Sequence, residues 1–188
     1  MNESDETEIV FVIGFEYLTG IPHYMMNIRT EKESDEHLIT EIHDRAFNNL
    51  DEGKIVERLR NNNNLIISFV AEIEQKIVGH IAYSPVFHEN QIIGLGLGPV
   101  GILPGFQKQG IGTALIQAGN ERAFLEGFSI IFVLGDMNYY AKFGFEPAKP
   151  YNFFSLFDPE GNHFMMAQRK SEPSPEKIPV HYCEEFHE

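Results

Sequence analysis

The sequence predicts an α/β fold, a single twisted, mixed β-sheet flanked by helices. Three observations point there. Helical periodicity comes first, over residues 34–60. Segments rich in Ile, Phe and Val follow, from 65 to 103. Then a helix, a strand, a short helix and a last strand alternate up to residue 168, an order that suits one mixed sheet. At 188 residues the chain has length for one domain with one real core.

The elements are justified in turn. Residues 1–26 read unlike the rest: an acidic opening at 3–8, an apolar run at 9–15, then Gly20, Pro22 and the pair Met25-Met26. We read them as an appendage outside the core, with initiation at Met26 as one version of that reading. The domain proper is expected over 27–170, beginning at Met26-Asn27-Ile28-Arg29. Residues 34–47 read as a helix. Ser34 suits its N-cap, and Asp35 and Glu36 suit the positive end of the helix dipole. Leu38, Ile39, Ile42 and Ala46 share one face. A second helix is expected over 52–60, with Ile55, Val56 and Leu59 inward, and the run 61–64 of four Asn residues should end it.

Strands are expected at 65–73 and 77–83, the second stopped by Ser84-Pro85. They form a hairpin whose turn, Glu74-Gln75-Lys76, lacks the usual Gly or Asn. A third strand over 91–103 carries Gly94, Gly96, Gly98 and Gly101. Such glycines mark a bulge or a place where a ligand approaches the backbone. Residues 108–126 form the clearest helix, with Ile111, Ala114, Leu115 and Ala118 on one face. A buried strand at 130–134, a short helix at 139–143 ending at Gly144, and a strand at 163–168 complete the core. The tail 171–175 is loop-like, and 180–186 is expected to dock back as part of a C-terminal extension, 171–188.

Composition narrows the function. Hydrophobic residues make up 43% of the chain, including sixteen Phe, which favours a packed body over disorder. A formal charge of −14 disfavours non-specific nucleic-acid binding. It leaves room for a local pocket that takes one phosphate ligand, and it mildly favours cationic acceptors. A single cysteine, Cys183, excludes an internal disulfide. No stretch reaches the ~18 apolar residues of a membrane span. No Lys or Arg precedes Arg29, so a signal peptide is not expected and the cytoplasm is the expected location.

The informative segment runs from Gly98 to Thr113. A strand ends near Leu103, and Gln107-x-x-Gly110-x-Gly112 opens a helix. The first amides of a helix lack internal partners, and the dipole is positive there. Gly110 and Gly112 keep side chains away, so a pyrophosphate can reach the backbone N–H groups. The same glycines also fit close packing of strand and helix. A dinucleotide fingerprint, Gly-x-Gly-x-x-Gly, is absent. A P-loop needs Gly-Lys-Ser/Thr, whereas Thr113 follows Gly112 directly.

The segment resembles the acyl-CoA signature of the GNAT superfamily, Arg/Gln-x-x-Gly-x-Gly/Ala. A second match follows in order, Gly135-Asp136-Met137-Asn138-Tyr139-Tyr140-Ala141-Lys142-Phe143-Gly144-Phe145, where the family carries Tyr-x-x-x-Gly-Phe. The Gly-Asp and Tyr-Tyr pairs are similar to the YhbS-like branch, as are Val78-Gly79-His80-Ile81 and Ser84-Pro85-Val86. The resemblance covers about residues 27–187. It implies a GNAT-like acyl-CoA N-acyltransferase fold, opened between central strands by the cofactor. It implies a pyrophosphate site at Gln107, Lys108, Gln109, Gly110, Ile111, Gly112 and Thr113. It also implies free backbone groups near Val100 and Ile102 for the pantetheine arm and the thioester oxyanion. Tyr140 occupies the family position of the general acid. A phenol with a reference pKa of ~10 can protonate a departing thiolate of reference pKa ~8.5. Packing on the last helix, with the hydroxyl on the cofactor sulfur, is its other reading.

The general base is not legible. No carboxylate lies between Gln91 and Gln107. His80, His88, Glu72 and Asp136 are the candidates, and each also fits a solvated or packing role. The cluster 153–157 fits either an acceptor cleft or core packing. No metal is expected, because eight scattered His form no His-Glu-x-x-His and there is no Cys cluster. A Ser-His-Asp hydrolase is also not expected, since its Gly-x-Ser-x-Gly elbow is missing. The reading is an acetyl-CoA-dependent N-acetyltransferase acting by direct attack of an amine, a small molecule or peptide. The alternative is a non-catalytic acyl-CoA-binding or sensing module.

Overall fold

The computed structural model describes residues 25–168 and 174–187, together with the backbone of a strand at 9–11. Most of the leading segment, and the loop reading of 171–173, therefore lie outside the described residues. The strand β1 (Ile9–Phe11) pairs with β2 (Met26–Thr30), so part of that segment extends the sheet. Met26, placed outside the core by the sequence reading, is 2% exposed at the start of β2.

The helix α1 (Glu36–Phe47) is preceded by a 3-10 turn, Glu33–Asp35. Ser34 is not its cap. The Asp35 carboxylate instead accepts the Lys32 N–H at 2.8 Å and pairs with Arg29 at 2.6 Å. The buried face of α1 is Ile39, Ile42 and His43, while Leu38 is 45% exposed. The apolar stripe is thus rotated by a polar residue that the periodicity did not count. Helix α2 (Asp51–Asn61) buries Gly53, Val56 and Leu59. The asparagines then close it, with Asn62 and Asn63 donating to Arg58 and Arg60.

Strands β3 (Ile67–Ile73), β4 (Lys76–His88) and β5 (Gln91–Ile102) form an antiparallel meander. Both hairpin turns, Glu74-Gln75 and Glu89-Asn90, place two residues at positive φ, which matches the twist of the flanking strands. Strand β4 does not stop at Ser84-Pro85. The Tyr83 carbonyl accepts from Ile66, so the backbone of residue 85, two positions on, turns to the same edge. There β3 pairing has ended and pairing with the C-terminal strand begins only at Val86. The missing N–H of Pro85 therefore faces no partner, the one place where proline fits a strand.

Helix α3 (Ile111–Leu125) starts three residues later than the periodicity predicts, because Lys108 and Gly110 take left-handed backbone. Its predicted face, Ile111, Ala114, Leu115 and Ala118, is buried. Then come β6 (Ile130–Leu134), α4 (Met137–Tyr140) with a 3-10 turn Ala141–Phe143, β7 (Glu146–Pro147), β8 (Phe153–Ser155), β9 (Phe164–Gln168) and β10 (Ile178–Tyr182). The sheet order is β1-β2-β3-β4-β5-β6-β9-β7, and β10 bridges β4 and β8. The expected docking of the tail is thus a strand.

Alternation along the strands divides the core between two faces. Phe69, Ile81, Tyr83, Leu97, Ile131 and Val133 pack under α3. Val70 and Ala82 face α1 and α2, while Phe132 and Phe164 face β8 and β10. Phe153 joins that last cluster, edge-on to Phe132 at 5.1 Å, whereas Phe157 is 45% exposed. The aromatic run is therefore core at one end and surface at the other.

The feature that positions a site is a fork. Strands β5 and β6 are parallel and pair only at Leu95↔Ile131 and Gly96↔Phe132. Beyond Gly96, β5 runs on to Ile102 with β4 as its partner, while β6 turns into α4.

Candidate active site

The mouth of the fork holds a cleft of about 460 Å³, lined by Val100, Ile102, Gln107, Lys108, Gly110, Gly112, Thr113, Ile116, Tyr139, Tyr140 and Lys142. Eight of these eleven are residues singled out from the sequence, all but Ile116, Tyr139 and Lys142. Gln109 and Ile111 are not on its wall. The Gln109 side chain donates to the Gly105 carbonyl at 3.1 Å, and Ile111 is 2% exposed beneath the sheet.

Backbone supplies much of the wall. The Leu103 N–H donates to Val78, so by alternation Val100 and Ile102 turn their peptide groups toward the fork. Ile102's carbonyl is already held by the Gln107 side chain at 3.1 Å, which ties the strand end to the turn. Gly110 is the N-cap of α3 at φ 85°, and no side chain caps the helix. The first intrahelical bond is Ala114 N–H to the Gly110 carbonyl, at 3.0 Å. The amides of 111–113 precede it and so lack intrahelical partners. A Cβ at Gly112 would lie 3.2 Å from the Tyr139 hydroxyl, so the missing side chain keeps the cleft open.

Two cations, Lys108 and Lys142, flank these amides in a chain of net charge −14. Lys142 lies 4.2 Å over the Tyr139 ring and donates to Thr113 Oγ1 at 3.4 Å. Burial raises the Tyr139 phenol above its ordinary value, and Thr113 beside it lowers it in part. Tyr139 and Lys142 escaped the sequence reading, although their spacing of three on a helical turn puts them on one face.

Asp136 starts the turn that carries both tyrosines. Its carboxylate accepts the Asn138 N–H at 2.7 Å as an N-cap. Gly135 is there for Tyr140: a Cβ at 135 would stand 2.5 Å from the Tyr140 ring. Burial, then Tyr139, pushes the Tyr140 phenol up to about 12, so it stays protonated and keeps an O–H to donate.

None of the four candidate bases lines the cleft. Glu72 pairs with Arg29 at 3.0 Å, and His88 Nδ1 bonds the Pro179 carbonyl at 3.1 Å. Asp136 caps its turn. His80 is fully buried on the other face of the sheet, 2.7 Å from His43 and 2.8 Å from Ser68. Cys183 is buried, its thiol donates to the Pro85 carbonyl, and burial pushes its pKa up to about 11. Among the described residues no three His, Cys, Asp or Glu side chains cluster as a metal site. No described helix is long and apolar enough to cross a membrane.

A forked parallel pair, with glycine-opened helix amides at its mouth, accords with a sequence match over residues 25–145 to the acetyltransferase (GNAT) family. The chain belongs to the GNAT family. It is 34% identical over 139 residues to the uncharacterized N-acetyltransferase YjhQ of Escherichia coli, covering 68% of this chain and 72% of that protein. A GNAT acetyltransferase from Brucella melitensis, solved with acetyl-CoA, is 33% identical, with a TM-score of 0.73 over 86% of this chain and 97% of that one. The fold is also that of E. coli YhbS, solved with CoA, at a TM-score of 0.83 and 24% identity over 90% of this chain and 96% of the other.

Proposed function

We propose that this GNAT protein transfers the acetyl group of acetyl-CoA to an amine by direct attack. The observation that carries the reading is the cleft, which brings the strand edge left open by the fork, uncapped helix amides and a protonated phenol to one wall. The pyrophosphate would sit on the amides of 111–113 and the Thr113 hydroxyl, with Lys108 and Lys142 balancing its charge. The pantetheine arm would pair with the backbone at Val100 and Ile102 along the open edge of β5. An N–H there would bear the oxyanion as the amine nitrogen bonds to the thioester carbon. The C–S bond then breaks, and Tyr140 passes its proton to the departing thiolate. Acetyl-CoA is made and consumed inside cells, so the cytoplasm is the proposed setting.

Calorimetric titration with acetyl-CoA, followed by thiol release across an amine panel, tests this reading. One-to-one micromolar binding with amine-dependent release is expected. Binding without release from any amine would favour the acyl-CoA-binding alternative. No binding at about a millimolar, weaker than roughly −4 kcal/mol, would overturn both.

A further inference from the structure

The cleft holds an acid but no base, and the opposite face of the same strand supplies one. Glu31, Ser68, His80 and His43 form a buried chain of hydrogen bonds. Glu31 is held by Arg60 at 2.7 and 3.1 Å and accepts the Ser68 hydroxyl. Ser68 Oγ lies 2.8 Å from His80 Nε2, and His80 Nδ1 lies 2.7 Å from His43 Nε2. Both rings are 0% exposed.

The order of protons follows from one end. Glu31 is an ionised acceptor, its carboxyl held at about 2 by His80, Arg60 and Ser68 against the cost of burial. Ser68 spends its only proton on Glu31, so its oxygen accepts from His80 Nε2–H. A neutral His80 then offers Nδ1 as acceptor, which requires the proton of His43 on Nε2. His43 Nδ1 is left as a bare lone pair. It is buried and has no hydrogen-bond partner. Burial holds both imidazoles below their usual range and so neutral; the charged or titratable groups around them are Glu31, Arg60 and Asp35.

That lone pair lies against the reaction strand. A Cβ at Gly101 would stand 2.8 Å from His43 Nδ1, so only glycine lets the ring come this close. Gly101 sits between Val100 and Ile102, the two β5 residues on the cleft wall. An unmade hydrogen bond at a buried atom is unfavourable, and a ligand proton would satisfy it.

We propose that His43 Nδ1 is the proton acceptor for the attacking amine, held in the correct tautomer by His80, Ser68 and Glu31. This rests on the transferase reading. The amine nitrogen bonds to the acetyl carbon, and its surplus proton passes to His43 Nδ1, directly or through one water. The C–S bond breaks, and the sulfur takes the proton of Tyr140. His43 is then an imidazolium whose Nε2–H still donates to His80, balanced by the Glu31 carboxylate. It returns its proton to solvent, and the Tyr140 phenolate takes one back from solvent, once the product leaves.

The test has a spectroscopic and a kinetic arm. In ¹⁵N-histidine-labelled protein with CoA at pH 7, NMR should show His43 and His80 as neutral Nε2–H tautomers. An Nδ1–H or imidazolium signal at His43 overturns the relay and leaves the transferase reading standing. With n-butylamine as acceptor, His43→Gln should cut kcat for thiol release by roughly 100-fold or more with acetyl-CoA affinity unchanged. Ser68→Ala, which removes no charge, should give a smaller fall in kcat and an altered His80 tautomer signal, and it serves if His43→Gln does not fold. A His43→Gln rate within threefold of wild type overturns the proposal. So does a wild type that binds acetyl-CoA but releases no thiol with n-butylamine. A wild type that fails to bind acetyl-CoA removes the transferase reading, and the proposal with it.

Discussion

The two faces of β5 are built in opposite ways. On the fork side the proposed chemistry would rest on backbone: amides of 111–113, peptide groups at 100 and 102, and the space left by Gly110 and Gly112. On the α1 side it is carried by side chains, from Glu31, His43, Ser68 and His80, and glycine serves only to let the His43 ring approach. A diphosphate with many oxygens suits a fixed row of N–H donors, which needs no side-chain ordering. Proton transfer needs a lone pair at one defined atom, and that takes a network to set the tautomer. The same strand can do both because its neighbouring residues face opposite sides.

Gly112→Val should give the largest departure. Its side chain would enter the cleft beside the Tyr139 hydroxyl, so acetyl-CoA affinity should fall by roughly 100-fold, about 2.7 kcal/mol, with the melting temperature little changed. Gly112 is a cleaner probe than Gly110, whose φ of 85° would add backbone strain to any substitution. Full affinity in calorimetry would move the phosphate site off the fork.

Tyr140→Phe comes next. We expect unchanged acetyl-CoA binding and thiol release at least tenfold slower, about 1.4 kcal/mol in the barrier. An unaffected single-turnover rate would take Tyr140 out of the acid role and leave it a packing residue against Gly135 and Phe145.

The faces should also differ in acid. His43 and His80 are depressed in the fold, so the unfolded chain binds protons first, and stability falls as pH drops below the ordinary histidine value of 6.5. Glu31 is depressed as well; its contribution is present above 4.5 and is lost as pH falls toward about 2. Urea unfolding at pH 7, 6, 5 and 4 should show this progressive loss, and His43→Phe should flatten the step between 7 and 5. A wild-type curve flat across that step would mean that the rings take up protons at the same pH in the folded and unfolded chain.

The smallest effect is expected at Lys142. Its ammonium is exposed to solvent screening, so Lys142→Ala should weaken acetyl-CoA binding only a few-fold, more at low salt than at high. A salt-independent loss would assign Lys142 to holding Tyr139 rather than to the ligand's charge.

What was legible in the sequence was what neighbouring residues decide among themselves. Gln107-x-x-Gly110-x-Gly112 specifies a strand end, a left-handed turn and an open helix start within six residues. Asp136 to Gly144 likewise caps, carries and ends one short helical turn. The order of helices and strands along the chain followed from hydrophobic periodicity. Other features needed the assembled fold. Pro85 sits inside β4 because two partner strands leave a gap at that residue, and His43 turns inward from α1 because His80 lies on the face of the sheet that α1 covers. The proton relay joins His43 to His80 across 37 positions and Ser68 to Glu31 across another 37. Such pairs have no local spacing rule. Only tertiary packing brings the rings to hydrogen-bonding distance, and only burial makes the order of their protons matter.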